Sequence, residues 1–272
     1  MNYTQEQVQS LSDQTFAYLL VEEKDHVLHL RLNRPAKKNA LNPTLLWELT
    51  YALSYAHYTP SVRAVVIAAE GNVFCAGADL KAFMGGGDKS GSTIPKPENE
   101  ILLGEIFHQV HKPTLARVEG SVFAGGFLIL ANCTYVIANH GIRLGLPEVK
   151  RGLFPYQVMA SLMEVMPRRQ VLDWCLRGTD LSVEKALDYG LITHLVSPET
   201  GEVVLTELLN ELLENSPMAI RMGLEAYDTL RSTDPAEHHQ YLKSMLFRSI
   251  QTPDAREGIA AFREKRKPVW PD

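Results

Sequence analysis

Residues 71–81, reading GNVFCAGADLK, hold the first arrangement in this chain that could do chemistry. The apolar run Ala64, Val65, Val66, Ile67, Ala68 and Ala69 precedes them, with the length and β-branched content of a buried strand. Ala76, Gly77 and Ala78 then supply three small residues, and Asp79 stands at the head of a helical turn. Small residues at the end of a buried strand let a ligand approach main-chain N–H groups. The N–H of Ala78 is the one expected to face a developing negative charge. The plain alternative is a tight strand-to-helix turn with Asp79 as its N-cap. Residues 120–126, GSVFAGG, repeat the pattern and run into an apolar helix over 127–131. Glycines at a helix N-terminus expose N–H groups at the positive end of the dipole. The dinucleotide fingerprint G-x-G-x-x-G is not met. Two such turns, each with a donor, are what a two-donor oxyanion hole requires.

Glu148 follows a proline in LPEVKRGLFP (146–155), between Leu146 and Val149. An apolar setting would raise its pKa and make it a competent base near neutrality. Pairing with Lys150 or Arg151 is the competing reading. Lys37 and Lys38 could meet phosphates or simply solvate a loop. Residues 85–92, GGGDKSGS, look like a phosphate loop but lack its residue order and a feeding strand, so a mobile surface loop is expected. His29 alternates with apolar neighbours and reads as a surface strand residue, and His108 and His111 read as structural. Cys75, Cys133 and Cys175 are odd in number and irregularly spaced. They make neither a disulfide framework nor a zinc site, so no metal is expected and a reducing, cytoplasmic setting fits.

The elements that must position these groups follow from pattern. Residues 1–14 are polar and expected to fray. Strands are read at 16–22 and 27–32, a helix at 43–57 with Leu45, Leu46, Leu49 and Leu53 on one stripe, and a helix at 99–111. A strand over 114–118 and strands over 133–138 and 142–145 follow. The remainder is helical: 155–177, 182–189, then an extended 191–196, then 202–214, 217–231, 235–250 and 254–266. Leu224, Tyr227, Leu230, Leu242, Met245 and Leu246 are spaced to pack on the body or on another subunit. At 272 residues, 45% hydrophobic and 22% charged, the chain can hold one large core with an appendage. The net charge of −5 offers no bulk attraction to nucleic acid or an anionic membrane. No run is long enough to span a bilayer, and the first residues have neither secretory nor transit character.

Five stretches, LNRPAKKNALN (32–42), FCAGADLK (74–81), EGSVFAGG (119–126), LPEVKRGLFP (146–155) and AREGIAAFREKRKP (255–268), together resemble the crotonase superfamily, the enoyl-CoA hydratase/isomerase family. The resemblance runs from about residue 16 to 267. It implies an α/β fold, a right-handed spiral of ββα units with a helical C-terminal module, in a trimer or dimer of trimers. The corresponding division is a flexible 1–15, a spiral core over 16–200 and a trimerisation module over 201–272. The implied substrate is an acyl-CoA thioester, with coenzyme A part of the substrate and no separate cofactor. By position, the enolate oxygen would rest on the N–H groups of Ala78 and Gly125. The coenzyme would run along Lys37, Lys38 and Asn39 and past Ala76, Asp79, Leu80 and Lys81. Phe247, Phe262 and Lys265 would cover its nucleotide end, often from a neighbouring subunit. Where the hydratases carry a first glutamate this chain has Leu128, while the second is present as Glu148. That pattern, together with Leu153-Phe154-Pro155-Tyr156, is similar to the Δ3,Δ2-enoyl-CoA isomerases, so double-bond migration with Glu148 as sole acid and base is expected. The alternatives are a hydratase whose water is held by other groups, such as Tyr156, another single-glutamate crotonase reaction, and a non-catalytic binder of acyl-CoA or RNA. The acidic balance argues against RNA.

Overall fold

The structure, a computed structural model, describes residues 1–85 and 90–271. It begins with an antiparallel hairpin, β1 (Leu19–Lys24) and β2 (Val27–Leu32), turning at Asp25 and His26, both at positive φ. In β2 the leucines are buried while His29 and Arg31 are half-buried, as the alternation requires. Next comes α1 (Pro43–Tyr58), capped by Asn42, whose side chain accepts from the Leu45 N–H at 2.9 Å. Its leucine stripe of Leu45, Leu49 and Leu53 is fully buried.

Two sheets then grow in alternation. β3 (Ala64–Ala69) joins β2, while β4 (Val73–Cys75) leaves to start a second sheet ahead of the short α2 (Leu80–Phe83) and α3 (Leu103–Val110). β5 (Thr114–Val118) returns to the first sheet, β6 (Ser121–Phe123) pairs with β4, and α4 (Phe127–Leu130) follows. β7 (Tyr135–Asn139) and β8 (Leu144–Gly145) repeat the split. Each unit thus gives one strand to a six-stranded sheet and the next to a four-stranded one, which is how successive ββα units stack. β3 and β5 are buried along their whole length, as parallel strands covered on both faces must be.

The helix expected over 155–177 is two helices, α5 (Tyr156–Val165) and α6 (Arg168–Arg177). Pro167 divides them, because proline cannot continue the ladder and holds Met166 extended. β9 (Asp180–Leu181), α7 (Val183–Asp188) and β10 (His194–Val196) complete the sheets. α8 (Gly201–Leu213) lays Leu205 and Leu209 on Val66, Leu115 and Ile137, so it closes the outer face of the large sheet. It belongs to the body rather than to the terminal module in which it was expected. α9 (Pro217–Leu230), α10 (His238–Ile250) and α11 (Pro253–Glu264) pack on one another as that module.

The N-terminal stretch differs from expectation. Tyr3 and Val8 are buried with Tyr51 and Ile94, and Tyr3 Oη donates to the Pro95 carbonyl at 2.6 Å. Polar composition hid two anchors, and buried Glu48 clasps the chain beyond them by accepting from Ala17 N–H and Tyr18 N–H. Of the loop read over 85–92, residues 86–89 lie outside the described residues. Among the described residues no helix is long and apolar enough to cross a membrane. Cys75, Cys133 and Cys175 are free, and burial pushes their thiols up to about 12, 12 and 11.

Candidate active site

β4, β6 and β8 are adjacent and parallel in the four-stranded sheet. Ala78 follows the end of β4, Gly125 the end of β6 and Glu148 the end of β8. All three therefore leave the same carboxyl edge of one sheet, where open α/β sheets place their ligands. Neighbouring strands stand about 4.8 Å apart, so the three loops span only about 10 Å.

The first two loops touch. Gly77 has φ +87°, and a Cβ there would stand 2.6 Å from Ala124 Cβ and 2.8 Å from Gly125 N. Only glycine satisfies both the left-handed backbone and that approach. The Gly77 N–H is taken by Cys75 Sγ, and the Gly77 carbonyl accepts from Leu41 N–H at 2.8 Å. Leu41 in turn accepts from Asp79 N–H, forming a parallel bridge to Ala78. In such a bridge the residue between the two bonds directs its own N–H to the opposite side. Among the described residues no acceptor takes the Ala78 N–H, and Ala78 is exposed. Ala124 and Gly125 open a single 3-10 turn running into α4. The first N–H groups of such a turn have no intrahelical acceptor. Ala124 itself sits at φ +52°, a conformation costing an alanine about 1 kcal/mol and held by its surroundings. Two unsatisfied main-chain donors thus stand on facing loops.

Glu148 begins a 3-10 turn, Glu148–Arg151, that ends at left-handed Gly152. Its Oε2 is buried with no hydrogen-bond partner among the described residues. Burial raises its pKa, and its own main-chain N–H, followed by Arg151, offsets this only in part. No ion pair to Lys150 or Arg151 forms among the described residues, so the competing reading of Glu148 as a paired surface acid is not met. Cys175 lies close enough to feel the Glu148 charge. A carboxylate of raised pKa at the same sheet edge as open N–H donors is equipped to take a proton and return it.

Leu128, in α4, is 8% exposed. Its side chain lines a cavity of about 130 Å³ shared with Leu102, Glu105, Gln157 and Ser161. The loop expected along a coenzyme is stitched to the first donor loop, since Lys38 carbonyl accepts from Ala76 N–H at 3.0 Å. Lys37, Lys38, Leu80 and Lys81 are exposed on it. Asn39, expected on the coenzyme's path, turns its side chain inward. It is fully buried, with Oδ1 accepting from Arg34 N–H and Nδ2 donating to the Glu70 and Val73 carbonyls. With every group of its amide engaged inward, the side chain shapes the loop. Asp79 is similarly committed. It caps α2 and pairs with Arg34 Nη1 at 2.8 Å, and that guanidinium holds its carboxyl below the usual range. Arg34 also donates to the Ala40 carbonyl and lies over the Tyr18 ring. Sequence reasoning missed Arg34, because its partner lies 45 residues away and no local spacing announces the pair.

Tyr156, at the start of α5, is 72% exposed and stacks at an angle on Phe154. Phe247 and Phe262, at 59% and 85% exposed, and Lys265, the left-handed cap of α11, lie in the terminal module. Leu80, Phe83 and Met84 add exposed apolar surface beside the first donor loop.

Residues 22–272 match the profile of the family described as Enoyl-CoA hydratase/isomerase. The chain is 31% identical over 257 residues to enoyl-CoA hydratase EchA19 of Mycobacterium tuberculosis, covering 92% of this chain and 94% of that one. It is 30% identical over 257 residues to the mevalonyl-coenzyme A hydratase of Aspergillus fumigatus, covering 90% and 91%. A crystal structure of an enoyl-CoA hydratase from Mycobacterium tuberculosis superposes with a TM-score of 0.82 at 29% identity, over 94% of this chain and 99% of that one.

Proposed function

The chain belongs to the enoyl-CoA hydratase/isomerase family, and from that premise we propose that it moves the double bond of an enoyl-CoA with one carboxylate. Glu148 removes the C2 proton of a 3-enoyl thioester. The dienolate oxygen rests on the N–H groups of Ala78 and Gly125, and protonated Glu148 returns the proton at C4. One acid suffices, because it acts first as base and then as acid. Each donor contributes about 3 kcal/mol in the transition state. The observation that carries this reading is Glu148 Oε2, buried and without a partner among the described residues, with apolar Leu128 in α4, the helix that follows β6. Leu128 can neither hold nor deprotonate water, and it keeps water from the dienolate.

Lys37, Lys38 and Lys81 bind the phosphates of the coenzyme, and Ala76 and Leu80 flank its path. Phe247, Phe262 and Lys265 cover the nucleotide end from a neighbouring copy, in a homotrimer or a dimer of trimers. The exposure of both phenylalanines supports that arrangement.

Hydration is the second reading, favoured by the names of the relatives, several of which are hydratases. It requires a water held by a group other than Leu128. Glu105, which shares a cavity with Leu128, and exposed Tyr156 are the candidates. Separate incubations with 3-hexenoyl-CoA and crotonyl-CoA distinguish the two. The isomerase reading expects 2-hexenoyl-CoA from the first and little 3-hydroxyacyl product from the second. Rapid hydration of crotonyl-CoA with no turnover of 3-hexenoyl-CoA contradicts it.

A further inference from the structure

A second cavity, of about 250 Å³, opens where the body meets the terminal module. The residues after α1, the turn before β5 and the first turns of α9 and α11 form its walls. Its apolar surface includes Val62, Met218 and Ile220. Its charged lining is predominantly basic: Arg63, Lys112 and Arg221, with His111 at one side. Lys112 is only 8% exposed and its ammonium donates to the Thr59 carbonyl. Arg221 is half-buried and makes no ion pair or hydrogen bond among the described residues. One acid, Asp254, also lines the cavity, and both it and nearby Glu23 are engaged in hydrogen bonds. Asp254 Oδ2 accepts from Ser216 Oγ and Met218 N–H, and Glu23 accepts from Tyr55 Oη and Ser61 Oγ. His111 is turned to Asp228 at 3.5 Å, and His57 Nδ1 donates to the Val110 carbonyl.

We propose that this cavity binds a short-chain carboxylate, its head between Lys112 and Arg221 and its tail against Val62, Met218 and Ile220. Charge-assisted hydrogen bonds from an ammonium and a guanidinium suit a carboxylate. An apolar cavity of about 150 Å³ accepts benzene, so this one accommodates a chain of about six carbons but not a coenzyme. Burial first, and Arg221 second, push Lys112 down to about 7. An anion placed beside it favours the charged ammonium, so binding near pH 8 takes up a proton. The ligand bridges body and module, and occupancy therefore stabilises their contact. The site is separate from the carboxyl edge that carries Glu148.

The test is calorimetric titration of the full chain at pH 8 with sodium hexanoate, with hexanol and hexylamine as controls. Hexanoate is expected to bind saturably, with proton uptake that shows as a dependence of the heat on buffer ionisation enthalpy. Neither control should bind there. Lys112→Met risks misfolding because Lys112 caps the end of α1. Arg221→Gln removes a group without folding partners, and it should weaken hexanoate at least tenfold while leaving Tm of the free protein unchanged. Saturating butanoyl-CoA should not compete. Absence of binding, affinity indifferent to Arg221→Gln, or competition by butanoyl-CoA overturns the proposal.

Discussion

Glu148 is where residue-scale chemistry concentrates. Its raised pKa reflects burial, offset only in part by its own main-chain N–H and by Arg151, so the ionised form is costly in the free protein. Glu148→Gln is expected to lower kcat for 3-hexenoyl-CoA by about 10³-fold or more, while Kd for a CoA thioester changes little. Steady-state rates and equilibrium binding check this. The sign of the pH effect follows from the direction of the shift. A group whose folded pKa exceeds its unfolded value stabilises the protein at low pH, and that contribution is lost as pH rises through the folded pKa. Glu148→Gln should therefore raise Tm at pH 7.5, with a gain that shrinks toward pH 4. A scan of Tm against pH measures it, as does an acid limb in kcat/KM displaced above the ordinary glutamate range. The burial of the Glu148 carboxyl was legible in the sequence because its apolar neighbours are adjacent in the chain. The inward commitment of Asn39 was not, since its acceptors at Glu70 and Val73 lie more than thirty residues away.

Secondary-structure elements set the precision of the donors. Three parallel strands of two or three residues hold three loops at one edge, and glycine lets two of those loops meet. Gly77→Ala forces a Cβ onto Ala124 Cβ and Gly125 N at positive φ. It should cost about 1–3 kcal/mol of stability and lower kcat more than it raises KM. Denaturant unfolding and kinetics of the same variant separate the two effects. Asn39→Ala leaves the Glu70 and Val73 carbonyls without their donor, and about 1–3 kcal/mol of destabilisation is expected by the same unfolding assay. The turns themselves were readable, because small residues after an apolar run leave few alternatives. The split of α5 from α6 and the membership of α8 in the body were harder to read. Periodicity reports an apolar face but not the surface that covers it, which for α8 is the outer face of the large sheet.

At the scale of the whole molecule, the terminal module presents Tyr227, Leu246, Phe247, Ile259 and Phe262 to the surface. That much apolar area on one module is suited to contact with another copy. The protein should sediment as a trimer or hexamer. Phe247→Asp with Phe262→Asp should raise KM for acyl-CoA about tenfold and change kcat less; a wild type that sediments as a monomer, or a double variant with unaltered KM, excludes the arrangement. The α/β class and the family were legible because five motifs occur in order along nearly the whole chain. The docking of Tyr3 was not, because its partners, Tyr51 and Ile94, are distant in sequence.

Solvent-deuterium labelling of 3-hexenoyl-CoA reaches the central step most directly. In D2O the wild type should give 2-hexenoyl-CoA whose new C4 hydrogen is either deuterium or the hydrogen taken from C2, and Glu148→Gln should give neither 2-hexenoyl-CoA nor deuterium at C4. Formation of 2-hexenoyl-CoA at the wild-type rate in Glu148→Gln would contradict a mechanism built on one carboxylate and two main-chain donors.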